Sequence, residues 1–360
     1  MKDKLIIENN GLYKHEERPF VISGPCAAES EEQVVETAKQ LAAIGIKIYR
    51  AGIWKPRTRP GMFEGMGSVA LPWLQQAKKE SGMLMATEVA NVWHVREAIK
   101  YGVDILWIGA RTTANPFAVQ EIADALRGYD MPVFVKNPVN PDIELWIGAL
   151  QRLNSVGIKK LAAIHRGFSQ YGDSPYRNLP QWEIPIELKR RIPDLPIITD
   201  PSHICGNREL LFQVSQTAMD LDFDGLIVES HRDPSVALSD KEQQITPKHL
   251  EEMLSRLILR NPDVKSSRQL EGLEGLRRQI DQWDNELLRV LKSRMAVSTQ
   301  IGAYKKQENI TILQTSRWSE ILEDKLAKAR GMGLSDNFIA QIFKNIHQES
   351  IEFQNRVMND

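Results

Sequence analysis

The 360-residue sequence predicts an α/β chain, a (β/α)8 TIM barrel followed by a C-terminal all-α unit of three helices. Two observations carry this reading. From residue 20, short β-rich apolar runs alternate eight times with stretches of helical period, the rhythm of a parallel barrel. After Leu259 strand-like runs stop and only helical patterning continues. A doubly wound sheet is the alternative, because a strand count taken from a sequence can err by one.

The eight runs are FVISGPCA, IKIYRAGI, MLMATEV, DILWIGA, MPVFVKNP, KKLAAIHRG, LPIITDPSH and DGLIVES. Between them lie helical segments such as EEQVVETAKQLAAIG, NVWHVREAIKYG, ELWIGALQRLNSVG and RELLFQVSQTAMDLD. Many of these end in Gly, the residue favoured just past a helix C-terminus. TPKHLEEMLSRLIL follows the eighth run. RNPDVKSSRQLEG is polar and carries Pro262, so it reads as a linker. The expected division is a barrel over 1–259, a linker over 260–269 and a helical domain over 270–360.

In that last domain, helical patterning from about 271 to 304 predicts a helix of roughly 50 Å at about 1.5 Å per residue. Further helices are expected near 315–330 and 336–357, separated by RGMGLSD. So long a helix cannot bury its apolar stripe inside so small a monomer. A second copy is expected to cover it, making the protein a homodimer.

Composition narrows the function classes. A hydrophobic fraction of 42% with 26% charged residues is ordinary for a globular enzyme. A formal net charge of −1 argues against general nucleic-acid binding, which needs an extended basic surface. No apolar run has membrane-spanning length, and the opening MKDKLIIENNGLYKHEERP has no signal-peptide core. Two cysteines, Cys26 and Cys205, fit a reducing compartment, so a cytoplasmic location is expected.

A barrel of this type builds its active site from the C-terminal ends of its strands. The residues there fall into two chemical sets. Cys26, His203, Glu229 and Asp240 offer a thiolate, an imidazole and two carboxylates. That mixture suits one divalent first-row metal ion, Mn, Fe, Co or Zn. Each alone would read as a packed core residue; their shared position at strand ends makes them a set. Cys205, two residues past His203, reads as an ordinary thiol.

The second set is cationic: Arg50, Lys55, Arg57, Arg111, Lys136 and Arg166. The stretch RAGIWKPRTRP alone places four cations within its length. Scattered surface cations are normal, but six converging on one mouth need an anionic ligand. Arginine grips phosphate and carboxylate with paired donors, and lysine adds a point charge. The set can neutralise two phosphates and a carboxylate. Gly61, Gly65 and Gly67 match neither a Walker nor a dinucleotide motif and receive only a loop role.

In this order GPCA, YRAGIWKPRTRP, GART, VKNP, HRG, TDPSH and VESHRDP…ALSD resemble 3-deoxy-D-arabino-heptulosonate 7-phosphate (DAHP) synthases, over nearly all of residues 20 to 255. The branch resembled is the one shared with 3-deoxy-octulosonate 8-phosphate synthases. KPRT is the erythrose 4-phosphate signature of that branch, where octulosonate synthases carry KANR-type sequences. Cys26 matches the metal-dependent form, and Arg59 stands where Ser is more usual. The resemblance implies phosphoenolpyruvate against Arg50, Lys55, Arg111, Lys136 and Arg166, and the erythrose phosphate on Arg57 and Thr58. It also implies catalytic parts for Lys55, Lys136 and His203. C3 of phosphoenolpyruvate would attack the aldehyde, polarised by the metal as Lewis acid. Water would then add at C2, and phosphate would leave by C–O cleavage.

On the long helix, Ile280, Leu287, Leu291, Arg294, Ser298, Ile301 and Lys305 share one stripe by steps of three, four and seven. Cations on such a stripe commonly snorkel to solvent. Two of them in one apolar seam point instead to a buried anion. In the last helix Ile339, Phe343, Ile346 and Ser350 form a second stripe, with Gln354 one turn on. The arrangement resembles the all-α chorismate mutases over about 90 residues, which implies rearrangement of chorismate to prephenate. Arg277, Arg294, Lys305, Arg317, Ser350 and Gln354 fall on that family's binding positions. Arg294, Lys305 and Gln354 are the catalytic ones, and the counterpart of Arg277 comes from the partner chain. Gln314 stands where the prototype has Asp, and Trp318 where it has the Glu that contacts the substrate hydroxyl.

Together these readings give a bifunctional shikimate-pathway enzyme whose mutase could sense prephenate or chorismate and restrain the synthase. Two rivals remain open at this point. The tail could be only a dimerisation and regulatory module, or the barrel an octulosonate synthase.

Overall fold

The computed structural model describes residues 5–8, 18–55, 61, 63–260, 267–313 and 315–359. It divides into two compact units, Met1–Pro262 and Asp263–Asp360.

In the first unit eight parallel strands close on themselves in sequence order, which removes the doubly wound alternative. They are β1 Phe20–Gly24, β2 Ile48–Arg50, β3 Leu84–Val89, β4 Ile105–Ile108, β5 Val133–Lys136, β6 Leu161–His165, β7 Ile197–Thr199 and β8 Gly225–Glu229. Closure is made by β1 against β8, with Phe20 opposite Gly225 and Gly24 opposite Glu229. The strands are short and almost entirely buried because both faces are covered.

Inside, Ile22, Ile48, Ala86, Ile105, Trp107, Phe134, Ala162, Ile164, Ile198 and Ile227 fill the barrel. Outside, a second apolar layer packs the strands against α1 (Glu31–Ala43), α2 (Leu71–Ser81), α3 (Val92–Lys100), α4 (Ala110–Thr113), α5 (Pro116–Ala125) and α6 (Ile143–Ser155). The ring is completed by α7 (Glu183–Arg191), α8 (Pro201–Cys205), α9 (Leu211–Asp220) and α10 (Pro247–Ser255). Side-chain caps start several of these helices: Ser30 accepts from Gln33 N–H, Asn91 from His94 N–H and Thr246 from His249 N–H. Two short helices, α4 and α8, follow β4 and β7 directly and were not visible as helical periods.

The second unit is all-helical: α11 Ser267–Gln307, α12 Thr315–Gly331 and α13 Asp336–Asn359. α11 has 41 residues, about 60 Å at about 1.5 Å per residue. It crosses α13 where Gly302 lies against Gln354; a Cβ on Gly302 would stand 2.9 Å from the Gln354 Cα. The first half of α11 leaves Leu276, Ile280, Trp283 and Leu287 more than half exposed. Among the described residues no helix is long and apolar enough to cross a membrane.

Candidate active sites

The barrel mouth is built by residues just past the strand ends. After β1 the chain buries Cys26 completely, and its N–H donates to Gln244 Oε1 at 2.9 Å. After β2 it doubles back. The Lys55 N–H donates to Glu64 O at 2.8 Å, and Gly67 N–H to Ile53 O at 3.1 Å. Gly65, at φ +88°, passes so close to Ile53 O that a Cβ would lie 2.2 Å away, so this turn demands glycine. The fold-back brings Lys55 Nζ to 2.8 Å from Cys26 O and 3.0 Å from its Sγ.

Of the four expected metal ligands, Cys26, Glu229 and Asp240 each offer one atom within 4.8 Å of the other two. Cys26 Sγ lies 3.2 Å from Asp240 Oδ2. His203 Nε2 is 3.8 Å from Glu229 Oε1 but stands outside that trio. Glu229 is fully buried, and its Oε1 accepts no hydrogen bond among the described residues. Its other oxygen takes Gln243 Nε2 at 2.7 Å.

Electrostatics separate the carboxylates from the thiol. Burial opposes ionisation of Glu229, yet His203, Arg50 and Lys55 hold its carboxyl below the usual range. Asp240 is likewise held low against burial by Arg177, whose Nη1 is 3.1 Å away, then by His203 and Lys55. Burial pushes the Cys26 thiol up to about 12, Glu229 and Asp240 push the same way, and Lys55 and Arg50 pull back. Two anionic carboxylates and a sulfur within 4.8 Å of one another make a donor set that a divalent cation fits, the cation displacing the thiol proton on binding.

Arg50 is 1% exposed, lies 3.2 Å from Glu229 Oε1, donates to Cys26 O and stacks over Trp107 at 5.1 Å. Lys136 Nζ donates to Asp200 Oδ2 at 2.8 Å. Arg166 Nη1 donates to Asn178 Oδ1 at 2.6 Å, and burial draws the guanidinium down to about 10. Arg111 opens α4 on the exposed rim and adds to the positive field on Arg166. Arg57 and Thr58 lie outside the described residues, as does the rest of 56–60. Cys205 is buried in α8, and burial raises its thiol to about 12.

Three groups of residues escaped the sequence reading. Asp200 is fully buried, caps α8 by accepting His203 N–H at 3.0 Å, and lies 2.8 Å from both His203 Nδ1 and Lys136 Nζ. Its signal was present: an Asp followed by Pro three residues before a His marks a capped helix start. Gln243 and Gln244 reach Glu229 and the Cys26 N–H from the loop after Asp240. Glu88, next to last in β3, accepts a hydrogen bond from Trp107 Nε1 at 3.0 Å.

In the helical unit Arg294 donates to Ser350 Oγ, and Gln354 Nε2 donates to Ser350 O at 3.2 Å. Lys305, 9% exposed, donates to Ile312 O at 2.6 Å, and Gln354 Oε1 is buried with no partner among the described residues. Burial lowers the Arg294 guanidinium. Arg277 and Arg317 are both exposed and pair locally with Glu274 and Glu320 at 2.7 and 3.0 Å. Seventeen residues of straight helix separate Arg277 from Arg294, about 25 Å, so one chain cannot bring them together. Gln314 lies outside the described residues.

Comparison with known proteins identifies two families along the chain. Residues 4–265 match the DAHP synthetase I family, and residues 276–355 match chorismate mutase type II. The phospho-2-dehydro-3-deoxyheptonate aldolase of Thermotoga maritima is 32% identical over 237 residues, covering 66% of this chain and 68% of that protein. A 2-dehydro-3-deoxyphosphooctonate aldolase of Variovorax paradoxus is 26% identical over 281 residues, covering 71% of this chain and 94% of its own. The crystal structure of the Thermotoga maritima DAHP synthase aligns with a TM-score of 0.59 at 31% identity, over 65% of this chain and 67% of that one.

Proposed function

The chain belongs to the DAHP synthetase I family and carries a type II chorismate mutase domain in its tail, and from this we propose how its two sites divide the work. The barrel condenses phosphoenolpyruvate with erythrose 4-phosphate; the helical unit rearranges chorismate to prephenate. The observation that carries the first assignment is the convergence of Cys26, His203, Glu229 and Asp240 with Arg50, Lys55, Lys136 and Arg166 at one barrel mouth.

Phosphoenolpyruvate sits against Arg50, Lys55, Lys136 and Arg166, with Arg111 at the rim. Arg57 and Thr58 take the sugar phosphate. These cations hold two mutually repelling anions within reaction distance, an orientation effect worth at best roughly 7–11 kcal/mol in intramolecular models. Cys26, His203, Glu229 and Asp240 would hold the divalent metal. Bound there, such an ion supplies Lewis-acid polarisation of a carbonyl oxygen. Lys55, whose Nζ lies 3.0 Å from the Cys26 sulfur, offers a proton to an oxygen that gains charge. Glu88, anchored by Trp107, would be the carboxylate that takes a proton from incoming water.

In the tail Arg294 binds a substrate carboxylate, while Lys305 and Gln354 stabilise charge on the breaking ether oxygen. Arg277 belongs to the site of a second copy. The exposed Leu276, Ile280, Trp283 and Leu287 support a homodimer through α11. Prephenate bound in the tail restrains the barrel reaction, an effect read as a change in condensation kinetics at saturating prephenate.

Competition between erythrose 4-phosphate and arabinose 5-phosphate tests the barrel assignment. Preference for the four-carbon sugar is expected; preference for the five-carbon sugar makes the barrel an octulosonate synthase. In the same preparation Arg294→Ala should abolish prephenate formation, and a wild type that forms none reduces the tail to a dimerisation or regulatory module.

A further inference from the structure

α13 presents more to the helical site than the residues named so far. His347 lies three residues before Ser350 and seven before Gln354, so all three share one helix face. Its ring is stacked on Trp318 of α12, with centroids 4.1 Å apart and planes 26° from parallel. Both side chains are half-buried. Partial burial pushes the imidazole below its ordinary value, and the positive charges of Arg294 and Lys305 push it the same way. The ring is therefore neutral at neutral pH, with one donor and one acceptor nitrogen.

The chemistry of the pocket is then divided. Arg294 and Lys305 supply positive charge for anionic groups, and Ser350 and Gln354 supply neutral polar atoms along α13. A neutral imidazole adds what neither set provides, a group that both gives and takes a hydrogen bond with a hydroxyl. A His of this kind would normally turn freely in solvent, but the indole face holds the plane of its ring.

We propose that His347, held by Trp318, is a specificity-determining contact of the helical site that reads the ring hydroxyl of the dicarboxylate bound by Arg294 and Lys305. The inference rests on the chorismate reading of that site. It explains why two aromatic rings stand near the partly buried Arg294 and the buried Lys305, where packing alone would be served by aliphatics.

The test uses the full-length protein, chorismate as substrate, and a chorismate analogue lacking the ring hydroxyl as competitive inhibitor. His347→Leu should raise KM for chorismate roughly tenfold, the loss of one hydrogen bond, with kcat within about threefold of wild type. The inhibition constant of the deoxy analogue should not change. His347→Gln, which keeps a donor and an acceptor, should recover most of the loss. Should the helical melt of His347→Leu collapse, His347→Phe keeps the stack on Trp318 while removing both nitrogens, and the same pair of constants decides. An unchanged KM overturns the proposal. So does an equal loss with both ligands, since that marks a purely structural residue. A wild type that leaves chorismate untouched while its condensation activity is intact refutes the mutase reading itself, a result distinct from the other two.

Discussion

Cys26 and Asp240 are 214 residues apart in sequence, and the thiol of one lies 3.2 Å from the carboxylate of the other. Barrel closure makes this contact. β1 pairs with β8 in parallel, so the loops leaving both strands emerge side by side at the same mouth. The positively charged fold-back of Lys55 then covers the pair from β2.

Asp200 orients His203 and neutralises Lys136 at once. Asp200→Asn should weaken divalent-metal binding by about 10–100-fold, because the carboxylate that fixes the imidazole is gone. It should also destabilise the barrel by about 3–5 kcal/mol, because Lys136 is left buried and unpaired. Calorimetric titration of Mn(II) and urea unfolding read the two effects; unchanged metal affinity would leave Asp200 with only a structural part.

His165 is fully buried and contacts Pro180 O through Nε2 at 2.6 Å. Burial lowers its pKa from 6.5 to about 4. Between those values the unfolded chain binds a proton that the folded barrel refuses, so stability rises with pH across that window. As pH falls from about 6.5 to about 4, the wild type should lose about 3 kcal/mol through this residue. His165→Gln can still donate to Pro180 O and should lack that part of the slope in urea unfolding at stepped pH. Parallel slopes in the two proteins would show that His165 does not carry it.

Gly302 allows α11 to touch α13 at Gln354. Gly302→Val should force the helices apart, cost about 1–3 kcal/mol of helical-unit stability and reduce chorismate turnover at least tenfold. Condensation in the barrel should be untouched. Equal loss of both activities would mean that the substitution acts on the whole chain.

Much of the fold is legible in the sequence. Eight β-rich runs gave eight strands, since each strand buries both faces and reads as an uninterrupted apolar stretch. The mouth residues were legible because a parallel barrel sends every strand end to one side. What stayed hidden has physical causes. Asp200, Gln243 and Gln244 act through single hydrogen bonds set by loop paths, which leave no periodic trace. Short α4 and α8 are too brief to show a helical period. Arg277, a site residue by resemblance, lies 17 positions from Arg294 on one helix and so serves a site in another copy, while Arg317 is exposed and pairs locally with Glu320. The His347–Trp318 stack joins two helices and has no signature in either one.

The central claim is that one chain carries two chemistries at separate sites, of which only the barrel's needs a metal. It is tested most directly by assaying both reactions on the full-length protein before and after exhaustive dialysis against EDTA. Condensation should fall to background and return on adding Mn(II), while chorismate rearrangement keeps its rate throughout. Condensation that persists in demonstrably metal-free protein would contradict the assignment of Cys26, His203, Glu229 and Asp240.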